Sequence, residues 1–212
     1  MKDKSANEIL LAILEHLTTS DLLQDLVLER ESNLCLLGMG KAAPALCKAL
    51  QAKFTFENTL ILGNDIGGHP FMDEGSLVNG HRLQEFLKRI PKEQHLVVIV
   101  TGGTSATIEI MHPFFENYKQ QFFSMQKEIV LAGKPIEQMN KLRKSMSILK
   151  NGGLLELSAT DSIETLVISD IPEKNLSGVG SGPSAYSTLN CDELLQLGKE
   201  VFSQNIEEDL FK

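Results

Sequence analysis

Several signatures are missing from this sequence, and each absence removes a class of function. There is no excess of basic residues: Lys and Arg number 20 against 28 Asp and Glu, for a formal net charge of −8. Nucleic-acid binding usually needs a basic face, so no nucleic-acid partner is expected. An anionic small molecule stays open, because a local site can be positive on an acidic protein. Cysteine is scarce, with Cys35, Cys47 and Cys191 only. The count is odd and no pair has metal-ligand spacing, so neither a disulfide framework nor a zinc site is expected. No apolar run approaches the ~18 residues of a membrane span. The first residues, MKDKSANEILLAILEHL, are polar and then amphipathic, without a signal peptide's apolar core and cleavage site. Internal repeats and low-complexity tracts are also missing. The expectation is a cytoplasmic protein with no membrane partner.

What is present is an ordinary globular composition over 212 residues, 42% hydrophobic and 23% charged. That is enough for one α/β domain or two small ones. Helical spacing runs over 9–17, and Ser20 or Asp21 suits the cap of a second helix to about Leu28. Short apolar strands are expected at 33–37, 59–62, 96–100 and 164–169. Helices are expected at 41–50, 76–90, 114–131, 136–149 and 192–202. The run Leu96-Val97-Val98-Ile99-Val100 suits a parallel strand buried on both faces. Alternation of β and α units predicts a mostly parallel sheet with helices on both faces. The expected layout is one domain over 1–212, with N-terminal helices at 1–30 and a sheet core at 33–203.

Three polar loops follow predicted strands, at the edge where open α/β sheets bind ligands. The first is Gly38-Met39-Gly40-Lys41. It lacks the spacing of a P-loop and the third glycine of a dinucleotide fingerprint. Its glycines could let backbone N–H groups approach an anion, with Lys41 as a mobile charge, or Lys41 could simply face solvent. The second is Thr101-Gly102-Gly103-Thr104-Ser105, two glycines with three hydroxyls. It suits a phosphate or a carboxylate, and equally a capped turn. The third, Ser169-Asp170-Ile171-Pro172, places Asp170 as a magnesium or hydroxyl partner. Between them, His69 is a candidate base or metal ligand, and otherwise a turn residue. Asp73 or Glu74 suits the cap of the next helix. Asn140, Arg143 and Lys144 share one helix face, ordinarily a solvated one.

The ordered set GMGKAA, GGHPFMDEGS, TGGTSA, N-x-x-R-K, NGGLL, ISDIP and SGPS resembles the N-terminal domain of the bacterial and archaeal glycerate 2-kinases, the class whose second domain is called MOFRL. The resemblance implies a Rossmann-like three-layer α/β/α sandwich. It implies ATP- and magnesium-dependent phosphorylation of D-glycerate at the 2-hydroxyl, in a cleft between two domains. Lys41 matches the active-site lysine, which would hold the carboxylate or the transferring phosphoryl group. Gly102, Gly103 and Ser105 match the Ser-Gly-Gly-Gly-Ser loop, Arg143 and Lys144 the Arg-Lys pair, and Asp170 the Ser-Asp-x-Pro aspartate. Gly38, Gly40, His69 and Thr104 complete the expected substrate- and phosphate-binding set. Departures from the pattern are Thr104 for the third glycine, Phe71-Met72 after His69-Pro70, Glu173-Lys174-Asn175 after the aspartate loop, and Ala185-Tyr186 after SGPS. The MOFRL domain, expected to be absent, supplies the opposite wall of the cleft in the family. The expected partners are therefore glycerate and ATP, with a homodimer mate or a separate second-domain chain closing the cleft. The alternative is a non-catalytic glycerate- or phosphate-binding regulatory protein, or a truncated homologue.

Overall fold

In a computed structural model of the protein, residues 23–63, 66–169 and 175–203 are described. Four strands form one sheet: β1 (Leu34–Met39), β2 (Phe56–Leu62), β3 (His95–Val100) and β4 (Ile163–Val167). The order is β2-β1-β3-β4, and every pair is parallel. β1 and β3 are buried at all positions, as strands with neighbours on both edges and cover on both faces must be. Their alternation divides the sheet into two cores. Leu34, Leu36, Val97 and Ile99 pack with Leu46, Cys47 and Leu50 of α1 (Ala43–Lys53). Leu37, Met39, Val98 and Val100 pack on the opposite face with Leu83 and Leu87 of α2 (Glu74–Arg89) and with Ile108 and Leu154. The fold is thus the expected α/β/α sandwich.

The chain runs outward from β1 to β2 and, in the other direction, from β3 to β4. The crevice of such a sheet opens where the winding reverses, beyond the carboxyl ends of β1 and β3. Local signals set the helix starts around it. Asp73 caps α2, accepting at Oδ1 from Ser76 N at 3.1 Å, while its own N–H donates to Ser76 Oγ at 3.1 Å. Asp73 is therefore the cap that the sequence offered.

Two short helices, α3 (Thr104–Thr107) and α6 (Gly153–Leu157), escaped the periodicity because neither is long enough to repeat. A third core lies beside the sheet. Here α4 (Lys119–Leu131), α5 (Ile136–Ser145) and α7 (Cys191–Val201) bury Phe122, Ile129, Leu142, Met146, Leu194 and Leu197 around Phe115. Helix α5 stops at Ser145 rather than at 149. Ile148 instead donates its N–H to Ile110 O at 3.0 Å, and Leu149 joins the sheet core. The expected helix to Leu28 is also absent over its described part. Residues 23–25 form a turn, and the Lys53 ammonium takes the carbonyls of Leu23, Gln24 and Leu26 at 3.2, 2.9 and 2.7 Å. Those carbonyls are then unavailable to a helix ladder. Residues 1–22, with the first expected helix, lie outside the described residues.

Candidate functional site

The glycine turn after β1 does not cradle an anion with its backbone. Gly40 N donates to Leu62 O at 2.9 Å, Lys41 N to Gly102 O at 3.0 Å, Ala42 N to Thr101 Oγ1 at 3.2 Å and Ala43 N to Gly40 O at 3.2 Å. Every amide from 40 to 43 is engaged inside the protein. Gly40 has a φ of +103°, and a Cβ there would fall 2.5 Å from Thr101 Oγ1. Its smallness lets the ends of β1 and β3 meet. Gly38 lies within β1, where a Cβ would fall 2.3 Å from Cys47 Sγ. Both glycines thus have packing roles, and the turn presents to the crevice the exposed side chain of Lys41.

The loop after β3 is different. Thr101 and Thr104 turn inward; Thr104 is 1% exposed and its hydroxyl donates to Thr101 O at 2.8 Å. The amides of Gly102, Gly103 and Ser105 carry no hydrogen bond among the described residues. Gly103 has a φ of +91°, and the aliphatic part of Lys41 crosses it so closely that a Cβ would stand 2.9 Å from Lys41 Cγ. Side-chain bonds then tie this loop to α5. Ser105 Oγ and Ser181 Oγ are 2.7 Å apart, and Ser181 Oγ donates to Asn140 Oδ1 at 3.0 Å. Asn140 Nδ2 donates to Gly178 O at 3.2 Å.

These elements enclose a cleft of about 280 Å³, lined by His69, Gly102, Gly103, Ser105, Asn140 and Arg143 among others. Arg143 is 9% exposed, and its Nε has no hydrogen-bond partner among the described residues. Behind it lies a fully buried ion pair in which Lys150 Nζ donates to Glu109 Oε2, while Glu109 Oε1 has no partner. Burial pulls the guanidinium of Arg143 below its ordinary value, and the charge of Glu109 opposes that pull. Lys150 is likewise lowered by burial, and here too Glu109 opposes the shift. Two cations and one carboxylate leave the cluster with net positive charge. A partly desolvated Arg beside unbonded N–H groups is equipment for an oxyanion.

The structure therefore gathers His69, Gly102, Gly103, Ser105 and Arg143 at one cleft, with Lys41 lying across Gly103. It places Gly38, Gly40 and Thr104 in the framework below. Lys144 is buried and faces a neighbouring pocket instead. Asp170 lies outside the described residues. Among the described residues no group of three His, Cys, Asp or Glu side chains gathers, and no carboxylate lines the cleft. These residues do not by themselves make a magnesium site. Glu109 was not anticipated as part of this site, and Lys150 and Ser181 stood out only as members of a basic glycine-rich turn and of the Gly180–Ser184 hydroxyl loop. A signal existed: Glu109 sits between isoleucines in Ile108-Glu109-Ile110, and a carboxylate in an apolar run calls for a buried cation.

Fold and cleft together define an α/β domain with a polar cleft, carrying a buried arginine, at the switch point of its sheet. The chain belongs to the family described as a domain of unknown function, DUF4147, which matches residues 5–210 and is the N-terminal domain of glycerate 2-kinases. It is similar to a glycerate 2-kinase of Sulfurisphaera tokodaii, 32% identical over 125 residues, covering 59% of this chain and 30% of the relative. A glycerate 2-kinase of Pyrococcus horikoshii is 25% identical over 189 residues, covering 82% of this chain and 42% of the relative. A crystal structure of a glycerate kinase from Thermotoga maritima matches with a TM-score of 0.73 at 20% identity, covering 96% of this chain and 53% of that one. The chain spans less than half the length of these two curated relatives. Among the described residues no helix is long and apolar enough to cross a membrane.

Proposed function

We propose that this chain is the acceptor-binding part of a kinase that transfers the terminal phosphoryl group of ATP to the 2-hydroxyl of D-glycerate. The observation that carries this reading is the cleft itself. Two cations from different elements, Lys41 and Arg143, flank a loop whose Gly102, Gly103 and Ser105 amides are unbonded. A hydroxy acid presents a planar carboxylate that suits the guanidinium fork. Lys41, mobile and exposed, is placed to meet charge developing on the transferring group. Phosphoryl transfer depends mostly on such positioning and charge stabilisation. In the reaction the donor's terminal P–O bond breaks, the new bond forms to the substrate's 2-oxygen, and the hydroxyl proton is released. His69 at the cleft rim is the candidate to receive that proton. Asp170 would hold magnesium, which would supply neutralising charge to the donor's phosphates.

A second reading has its own support: among the described residues the cleft has no carboxylate to hold a metal. The chain would then bind glycerate or phosphate without turning it over. Both readings require the anion site. The test is titration of D-glycerate into the parent chain and into Lys41→Met and Arg143→Met, beside a coupled assay with ATP and magnesium. Binding that weakens in both variants supports the site, and turnover that dies with Lys41 supports the kinase. D-glycerate binding that ignores both substitutions sinks the assignment.

A further inference from the structure

Lys144 is 7% exposed, yet it does not face the cleft. Its Nζ donates to Ser187 Oγ at 2.8 Å, and that hydroxyl donates to Asn151 Oδ1 at 2.8 Å. No carboxylate pairs with this ammonium among the described residues. Burying a cation without a counter-charge is unfavourable. Burial accordingly holds Lys144 below the ordinary lysine value.

The ammonium borders a separate pocket of about 580 Å³, whose wall includes Asn175, Ser177, Ser187 and Thr188. Two other charges are present. Lys141 is already paired with Glu193, and Glu137 is exposed. The pocket and the cleft share Ile136, Asn140 and Gly178. The bond from Asn140 Nδ2 to Gly178 O, 3.2 Å long, lies in that common wall. Arg143 and Lys144 are consecutive on α5, so their side chains diverge by about 100°. One serves the cleft and the other serves the pocket.

We propose that the Lys144 pocket is a second oxyanion site, which takes the phosphate tail of the phosphoryl donor while the Arg143 cleft takes the acceptor's carboxylate. The assignment of the two ligands rests on the kinase reading above; the existence of the second site does not. Size favours this division. Sites for drug-sized ligands run to roughly 300–1,000 Å³. The pocket lies inside that range, and the cleft, at about 280 Å³, is smaller. Chemistry favours it as well, because an ammonium acts on phosphate as a point charge while a guanidinium matches a planar carboxylate.

The experiment is titration calorimetry on the full chain, with inorganic tripolyphosphate and D-glycerate as separate probes. The variants are Lys144→Met and Thr188→Glu. Thr188 is exposed on the pocket wall, so its variant tests the site even if Lys144→Met fails to fold. Each substitution is expected to weaken tripolyphosphate by about tenfold or more while D-glycerate changes by less than about twofold. Tripolyphosphate that does not bind the parent, or that binds both variants as it binds the parent, overturns the site. Equal weakening of both probes overturns the division between the two compartments. If tripolyphosphate binding depends on Lys144 while D-glycerate binds nowhere, the pocket stands and the acceptor assignment falls.

Discussion

Gly38 offers a test in which packing and ligand binding make opposite predictions. Alanine at this position would put a Cβ 2.3 Å from Cys47 Sγ and 3.3 Å from Ala43 Cβ. Unstrained non-bonded contacts lie at about 3.5–4.0 Å, so the sulfur must move by more than about an ångström. It has little room, because Leu46, Cys47 and Leu50 are all buried against the sheet. Overpacking of a tight core costs about 1–3 kcal/mol, and we expect about 2–3 here. For a chain of this size that lowers Tm by about 4–12 °C. Cys47→Ala alone should cost about 1–2 kcal/mol through lost burial and a small cavity. In the Gly38→Ala background the same change removes the clash. The double variant should therefore be more stable than Gly38→Ala, with a coupling of about 2 kcal/mol or more. The chain has no Trp and two Tyr, so urea unfolding is best followed by far-UV circular dichroism. Additivity within about 0.5 kcal/mol would refute the claim that the sulfur excludes a side chain at position 38. If packing is the whole role of Gly38, the double variant binds D-glycerate as the parent does.

Lys41, Glu109 and Cys47 each carry further expected outcomes. Lys41→Met should leave stability within about 0.5 kcal/mol, because Lys41 is exposed and its ammonium has no ion pair among the described residues. The same change should weaken D-glycerate binding by about tenfold or more. Glu109→Gln should cost about 3–5 kcal/mol in chemical denaturation, since it leaves the Lys150 ammonium buried and unpaired; Glu109→Gln combined with Lys150→Met should recover much of that loss. Burial pushes the Cys47 thiol from the ordinary 9.0 up to about 12. Between those values the unfolded chain releases this proton and the native state keeps it, so stability falls as pH rises through the window. A stability–pH curve for Cys47→Ala should be flatter there, and a curve unchanged from the parent would remove Cys47 as the cause.

The sheet was legible because its central strands are continuous apolar runs, and β3 was placed to within one residue. The ends of β1 were less so. The strand continues through Gly38 to Met39, and a glycine inside a strand reads as a break unless the helix packed over it is known. The same glycines suggested an anion cradle. Nothing local reveals that the amides from 40 to 43 bond to Leu62, Gly102, Thr101 and Gly40, since three of those partners come from other parts of the chain. Arg143 and Lys144 became candidates through the resemblance to the family's Arg-Lys pair, while spacing alone put them with Asn140 on one helix face, ordinarily a solvated one. Spacing cannot tell that the two enter different compartments, because Asn140 and Gly178 build that wall from segments 38 residues apart.

Arg143 in the cleft and Lys41 across Gly103 are anchored in different bodies of packed side chains. Lys41 rides on the turn between β1 and α1, above the sheet. Arg143 rides on α5, whose Leu142, with Met146 just beyond the helix end, is buried in the phenylalanine-rich core with α4 and α7. The separation of their backbone anchors therefore follows the relative position of those bodies, and the mobile Lys41 side chain adjusts within it. Sliding one against the other changes that separation directly. A ligand that bridges both cations clamps the two bodies together, and a ligand held by one of them does not.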